Sequence, residues 1–132
     1  MDLETERLYL RELAHVEGQI KFGIYEKEKE SRVGTVEIIY RGRRKGEIGY
    51  YINSEYEGRG YATEALNSVK EWMQTKEIES FLRIPLWNGK SKGVAKKAGF
   101  EPAERAKKDN GIFELWQLKK VEKGSIQYEE ER

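Results

Sequence analysis

The sequence predicts a mixed α+β fold. We expect one mixed, mainly antiparallel sheet of about six or seven strands, with the main helix crossing over between the fourth and fifth strands. Three observations predict it. Apolar and polar residues alternate in segments of the first 52 residues, as they do in half-buried strands. The apolar period then lengthens to that of a helix. One further short helix and three more apolar segments of strand length follow.

Four strands are predicted before the main helix. Residues 8–13 alternate apolar and polar side chains, and residues 20–24 repeat that period of two. Residues 33–40 are rich in β-branched side chains, which suit a pleated surface. Residues 48–52 give the fourth strand, and the basic residues 41–46 before it are predicted to form a turn.

The main helix is predicted over residues 62–73, where apolar side chains recur at helical spacing. A short strand follows at residues 80–86. Ser91 is a candidate N-cap of the second helix, which Gly99 would end. Residues 100–105 and 112–118 are predicted to form a hairpin, because residues 107–111 carry turn-forming side chains.

Composition excludes several functional classes. At 132 residues and 15.5 kDa we expect one domain over residues 1–120, followed by a charged tail at residues 121–132. The chain has no Cys, which excludes a disulfide scaffold, a thiolate metal site and a Cys nucleophile. His15 is the only histidine, so neither a His-rich zinc site nor a Ser/His triad is expected. No metal site is predicted.

The charge balance argues against polyanionic partners. Lys and Arg total 25 and Asp and Glu total 24, so no global field would attract nucleic acid or an anionic membrane. No apolar run approaches the roughly 20 residues of a membrane span, and the first residues do not resemble a signal peptide. We therefore expect a cytoplasmic protein.

The segment from the fourth strand into the main helix carries the chemical signal. The strand enters a loop with Gly58 and Gly60, and this loop opens the helix. Backbone N–H groups at a helix start suit a phosphate or diphosphate, and glycines let a ligand approach them closely. Taken alone, such glycines more often only make a turn. The loop lacks the Gly-Lys-Ser/Thr ending of a P-loop and the third glycine of a dinucleotide-binding fingerprint.

Four segments of the sequence add context, because they occur in the order found in one known family. They are residues 5–11, 46–66, 85–91 and 97–101. On these residues the sequence resembles the GNAT acetyltransferases, in particular the RimJ/RimL branch that acetylates ribosomal-protein N-termini, with a shortened N-terminal region. The resemblance implies acetyl-CoA as co-substrate. It also implies acetyl transfer to a primary amine, of a small molecule or of a protein N-terminus.

The resemblance also implies roles for individual residues. The acyl-CoA loop falls on residues 57–62, where Glu57 replaces the family's Gln or Arg. Pantetheine would pair with the backbone at the end of the fourth strand, and an N–H near Ile52 would stabilise the thioester oxyanion. The implied cofactor-binding residues are Tyr51, Ile52, Asn53, Glu57, Gly58, Arg59, Gly60, Tyr61, Ala62, Asn88 and Ser91.

Two side chains are candidates for catalysis. Glu47 matches the position of the base in several GNAT enzymes, where it would take a proton from the amine. Ser91 is the candidate general acid for the leaving thiolate. The structural alternatives are that Glu47 is an exposed strand residue and that Ser91 is only a helix cap.

The segment that would form the acceptor half of the family's site is short in this sequence. Only residues 14–18 separate the first two predicted strands, where the family has one or two helices that wall the acceptor site. Three interpretations stay open. The groove is open to an exposed peptide or protein amine; a second subunit in a homodimer supplies the wall; or the chain is a non-catalytic acyl-CoA-binding, sensory or interaction module.

Overall fold

The structure is a computed structural model that describes residues 1–109 and 111–119. Two helices are α1 (Tyr61–Thr75) and α2 (Gly89–Lys97). The strands in this part of the chain are β1 (Leu3–Glu4), β2 (Leu8–Val16), β3 (Gln19–Glu26), β4 (Arg32–Tyr40), β5 (Lys45–Ile52), β6 (Glu79–Pro85), β7 (Phe100–Lys108) and β8 (Gly111–Leu118). They form one sheet in the order β1-β2-β3-β4-β5-β6-β8-β7.

The predicted fold class is confirmed. Every pair of neighbouring strands in the described sheet is antiparallel except β5 and β6, which are parallel. Helix α1 forms the crossover between these two strands, which are the predicted fourth and fifth. The sheet has one strand more than expected, because β1 is a two-residue strand that pairs with β2 and is too short to show a period.

Both helices pack on one face of the sheet, which we call the inner face. Leu66, Val69 and Met73 of α1 are fully buried there, and Ala95 of α2 joins the same cluster. The strands contribute side chains such as Phe22 and Ile38 at alternate positions. Burying one large apolar side chain stabilises a fold by about 1.5–3 kcal/mol, so this cluster is the main source of stability.

The opposite face of the sheet, the outer face, has no helix over it among the described elements. Phe81 and Phe113 are buried on it, apart from the inner cluster. Lys45 and Arg83 cover their rings, with the charged groups 5.3 and 4.8 Å from the ring centroids. The outer face is therefore shielded by its own long side chains.

The connection between β2 and β3 is a tight hairpin. Val16 pairs with Gln19 across the turn, and Gly18 supplies the positive φ of +81° that the turn requires. No helix separates these strands, as the short predicted connection indicated. This leaves the outer face open near the N-terminal strands.

Two sequence predictions need correction. Ser91 is not the N-cap of α2: Asn88 holds that place, and its Oδ1 accepts a hydrogen bond from the Ser91 N–H at 3.0 Å. The hairpin strands extend further than predicted, since β7 continues to Lys108. Residue 110 of the predicted turn and the predicted tail at 121–132 lie outside the described residues. Neither described helix is long and apolar enough to cross a membrane.

Candidate functional site

The parallel strands β5 and β6 diverge. They pair at only three positions, the last joining Glu47 and Phe81, although β5 continues to Ile52 and β6 to Pro85. Beyond Glu47 the two strands separate, so the side of β5 that faces β6 is free to pair with a ligand. We call this opening the fork and Glu47 its apex.

A cleft of about 750 Å³ lies at the fork, between the end of β5 and the first turns of the two helices. The residues that line it are Tyr50, Tyr51, Ile52, Tyr56, Glu57, Gly58, Gly60, Tyr61, Ala62, Thr63, Asn88, Gly89, Lys90, Ser91, Gly93, Val94 and Lys97. Two segments far apart in the sequence, residues 50–63 and 88–97, thus meet around one cavity.

The glycine loop presents backbone donors to this cleft. Gly58 and Gly60 have φ values of +80° and +82°, which favour glycine. Gly60 is the N-cap of α1 and has no side chain to satisfy the N–H groups of the first turn, and Tyr61, Ala62 and Thr63 of that turn line the cleft. Such amides and the dipole of the helix would favour a bound anion at this loop. The loop fits a diphosphate.

Two lysines add positive charge. Lys90 and Lys97 of α2 line the cleft. Lys90 Nζ lies 3.5 Å from Glu57 Oε1, so an exposed ion pair crosses the cleft. Since exposed pairs contribute about 0–1 kcal/mol, a phosphate could readily displace Glu57 from Lys90.

Nine of the eleven predicted cofactor-binding residues line the cleft; Asn53 and Arg59 do not. Asn53 instead donates from its Nδ2 to the Arg32 carbonyl at 3.3 Å and fixes the end of β5. The Arg59 guanidinium lies over the Tyr56 ring, 5.2 Å from its centroid. Asn53 thus ties the end of β5 to the start of β4, and Arg59 packs on Tyr56, which lines the cleft.

Ser91 is held from two sides. Asn88 Oδ1 accepts a hydrogen bond from the Ser91 backbone N–H, and the Tyr50 hydroxyl donates one to Ser91 Oγ at 3.1 Å. Burial raises the pKa of Tyr50, and the hydrogen bond to Ser91 offsets part of that rise. From the sequence, Tyr50 is expected in the fourth strand and has no assigned role in the site, because no local pattern reveals a partner 41 positions away.

Glu47 points to the outer face rather than into the cleft. Its side chain is 14% exposed, and two arginines hold its carboxylate. Arg41 Nη2 lies 3.0 Å and Arg83 Nη2 3.7 Å from Oε1. The candidate base thus lies at the apex of the fork, with the cleft on the opposite face.

Polar contacts anchor the start of α1. The Tyr61 hydroxyl donates to Glu26 Oε2 at 2.9 Å, and this bond, together with burial, raises the pKa of Tyr61. Glu64 accepts from the Arg7 N–H and Nε at 2.8 and 2.7 Å and from the Thr5 hydroxyl. Burial alone would raise the pKa of Glu64, but these donors outweigh it and lower the pKa.

A fork between two parallel strands, beside a glycine loop at a helix start, defines a class of protein. One strand edge is available to an extended amide-bearing arm, and the helix start is available to a diphosphate. This is the arrangement expected of a protein that binds an acyl-coenzyme A.

The family model described as an acetyltransferase (GNAT) domain matches residues 2–101. The chain therefore belongs to the GNAT acetyltransferase family, as the sequence resemblance indicated. It is an acetyl-CoA-dependent N-acetyltransferase by that membership. No curated protein sequence matches the chain.

Solved structures agree on the fold. A GNAT-family acetyltransferase from Bacillus anthracis is 18% identical with a TM-score of 0.77, over 89% of this chain and 98% of that one. The ribosomal-protein-S5-alanine acetyltransferase from Vibrio fischeri is 27% identical with a TM-score of 0.68, over 76% of this chain and 61% of that one. The F149G mutant of the spermidine N-acetyltransferase SpeG from Vibrio cholerae is 18% identical with a TM-score of 0.71, over 79% of this chain and 66% of that one.

Proposed function

We propose that the chain transfers the acetyl group of acetyl-CoA to a primary amine at a polypeptide N-terminus, with Glu47 as the base. One observation carries the proposal: the fork opens on the inner face into the glycine-loop cleft and has Glu47 at its apex on the outer face. Cofactor and acceptor would approach the gap between β5 and β6 from opposite faces.

The cofactor would lie along the cleft. The backbone of Tyr51, Ile52 and Asn53 would pair with the pantetheine arm, and the amides of the glycine loop would bind the diphosphate. Asn88 lies at the other wall, where its side chain is committed to capping α2. It would therefore act through the position of α2.

The reaction is a direct displacement. Glu47 takes a proton from the incoming ammonium group, and the neutral nitrogen attacks the thioester carbon. The N–C bond forms, the nitrogen releases its second proton to solvent, the C–S bond breaks, and the electron pair of that bond leaves on sulfur. The N–H near Ile52 stabilises the oxyanion in between. Arg41 and Arg83 fix the Glu47 carboxylate at the apex.

The open outer face favours a polypeptide acceptor over a small amine. No described helix walls the acceptor side, so an extended chain could reach the apex. Two exposed aromatic residues flank the open end of the fork: Tyr51 on β5 is 62% exposed, and Trp87, just after β6, is 82% exposed. Such side chains suit contact with a flexible peptide. The alternative, a wall supplied by a second subunit, predicts a dimer in sedimentation.

The test is thiol release from acetyl-CoA with a panel of N-terminal peptides and small amines. Glu47→Gln should lower kcat by about 100-fold or more, because general base catalysis contributes about 10²–10⁴-fold. Its affinity for acetyl-CoA should not change. Glu37→Gln is the matched control, since Glu37 is another outer-face carboxylate, held by Gln19 at 2.8 Å. Equal turnover in both variants would remove Glu47 from the mechanism.

A second candidate is an acyl-CoA-binding module that does not transfer the acetyl group. The observation that favours it is the engagement of the Glu47 carboxylate by two guanidinium groups, which compete with an amine for that carboxylate. A rise in melting temperature with acetyl-CoA, without thiol release for any amine, would support this candidate.

A further inference from the structure

The hydrogen bond between Tyr50 and Ser91 connects the two walls of the cleft. Tyr50 belongs to β5 and Ser91 to the first turn of α2, and their hydroxyl oxygens are 3.1 Å apart. Among the described residues, it is the only hydrogen bond that joins a side chain of β5 to a side chain of α2. Its position inside the cleft makes it relevant to the ligand.

The two contacts of Ser91 fix both its backbone and its side chain. Asn88 caps the helix through the Ser91 N–H, so the backbone of residue 91 cannot rotate freely. Because Tyr50 donates to Ser91 Oγ, the hydroxyl proton of Ser91 must point to another acceptor. The structure gives it no acceptor among the described residues, and the residue lines the cleft.

The pair lies at the thioester end of the cleft. The diphosphate end is marked by the glycine loop at Gly58–Gly60, where the start of α1 opens. Of the residues of β5 that line the cleft, Tyr50 is the nearest in sequence to Glu47, where pairing with β6 ends. A pantetheine arm that runs from the glycine loop along β5 toward the apex therefore brings its sulfur to this pair.

We propose that Tyr50 is a positioning residue that directs the Ser91 hydroxyl at the sulfur of coenzyme A, where the Ser91 O–H donates a hydrogen bond to the departing thiolate. The proposal rests on the proposed acetyl transfer for the course of the cofactor along the cleft. In that transfer the N–C bond forms and the C–S bond breaks, with its electron pair left on sulfur. Ser91 stabilises this charge and keeps its proton; the thiolate takes a proton from solvent after release.

Tyr50 and Ser91 are both suited to act as hydrogen-bond donors that keep their protons at neutral pH. The raised pKa of Tyr50 keeps its phenol protonated at neutral pH, so it remains a donor to Ser91. A serine hydroxyl is a weak acid but an adequate hydrogen-bond donor, and bonds to charged acceptors are about twice as strong as neutral ones. Tyr50→Phe removes the phenol and keeps the ring, so Ser91 would be free to turn its proton elsewhere.

The test measures the ionisation of the thiol of bound coenzyme A, which needs no acceptor and no turnover. The thiolate is followed by its ultraviolet absorbance as pH is varied, with protein in excess. We expect the thiol ionisation constant in the wild-type complex to be about tenfold larger than in the Tyr50→Phe complex. Tyr40→Phe is the control: Tyr40 is half-buried on β4, outside the cleft, and should behave as wild type.

Ser91→Ala provides a second measurement if Tyr50→Phe binds poorly. In the Ser91→Ala complex the thiol ionisation constant should fall by the same factor of about ten. In the double variant it should fall no further than in Ser91→Ala alone, because the two residues act as one unit. Equal thiol ionisation in the wild type and in both variants would overturn the positioning role while leaving acetyl transfer intact. Coenzyme A that fails to bind the wild-type protein would overturn both proposals.

Discussion

Gly34 on β4 is the glycine at which the structure leaves the least room. It pairs with Ile52, and a Cβ at this position would lie 2.0 Å from the Tyr51 carbonyl oxygen and 3.0 Å from Ile52 Cα. Both neighbours are backbone atoms, so no side chain can rotate away. Reaching the ~3.3 Å of a weak C–H···O contact would require the end of β5 to move by about 1.3 Å.

Gly34→Ala should therefore impair both stability and cofactor binding. Overpacking of this kind costs about 1–3 kcal/mol. For a domain of this size each kcal/mol lowers the melting temperature by about 3–5 °C, which gives a decrease of roughly 3–15 °C. The displaced backbone is the segment proposed to pair with pantetheine, and losing one hydrogen bond there costs about 0.5–1.5 kcal/mol. We expect affinity for coenzyme A to fall by up to about tenfold, since about 1.4 kcal/mol is a factor of ten.

The assay is thermal unfolding together with calorimetric titration of coenzyme A. Gly49→Ala is the matched control, because Gly49 lies on the same pair of strands and its Cβ would make an ordinary contact, 3.5 Å from Glu37 Oε1. That variant should melt at or slightly above the wild-type temperature, since glycine weakens a strand. A Gly34→Ala protein that melts and binds as the wild type does would refute the placement of the end of β5.

Three further predictions follow from the helix α1. The pKa of Glu64 is lowered in the folded state, so its stabilisation is present above the ordinary value of 4.5 and is lost as pH falls through the folded-state pKa. Glu64→Gln should melt lower at neutral pH and lose less stability on acidification, measured by melting curves across that range. Gly60→Trp should weaken cofactor binding in calorimetry, because a side chain is strained at a φ of +82° and its Cβ would lie 3.2 Å from Arg7 Nη2, so the glycine loop would have to shift. Full affinity in a folded variant would contradict the loop assignment. Leu66→Ala should cost about 2–5 kcal/mol in denaturant unfolding, and a cost below 1 kcal/mol would contradict its full burial.

Local patterns were sufficient to predict most of the fold. Period-two alternation located β2 to β5, and the change to helical spacing located α1, because each signal is carried by neighbouring residues. The cap of α2 was assigned to the wrong residue because Asn88 and Ser91 are both good cap formers three positions apart, and sequence alone does not say which accepts the hydrogen bond.

The sequence predicts the part of the candidate site that backbone geometry forms. It does not predict the contacts between side chains from distant parts of the chain. Gly58 and Gly60 lie where the sequence motif placed them, since a tight loop before a helix selects glycine locally. The bonds from Tyr50 to Ser91 and from Tyr61 to Glu26 join residues 41 and 35 positions apart, and no local period encodes such pairs. The contact between Arg83 and Glu47 could not be predicted for the same reason, because Arg83 comes from β6.

The cations stacked on the aromatic rings of the outer face bear on how this small protein behaves at high concentration. A sheet with one bare side invites face-to-face stacking with other copies, and buried charge is a common means of preventing it. Lys45 and Arg83 bring a hydrated charge over each phenyl ring, so a second sheet could stack there only by stripping water from both. We therefore expect the outer face to resist stacking of a second sheet and to stay accessible without an added layer of helices.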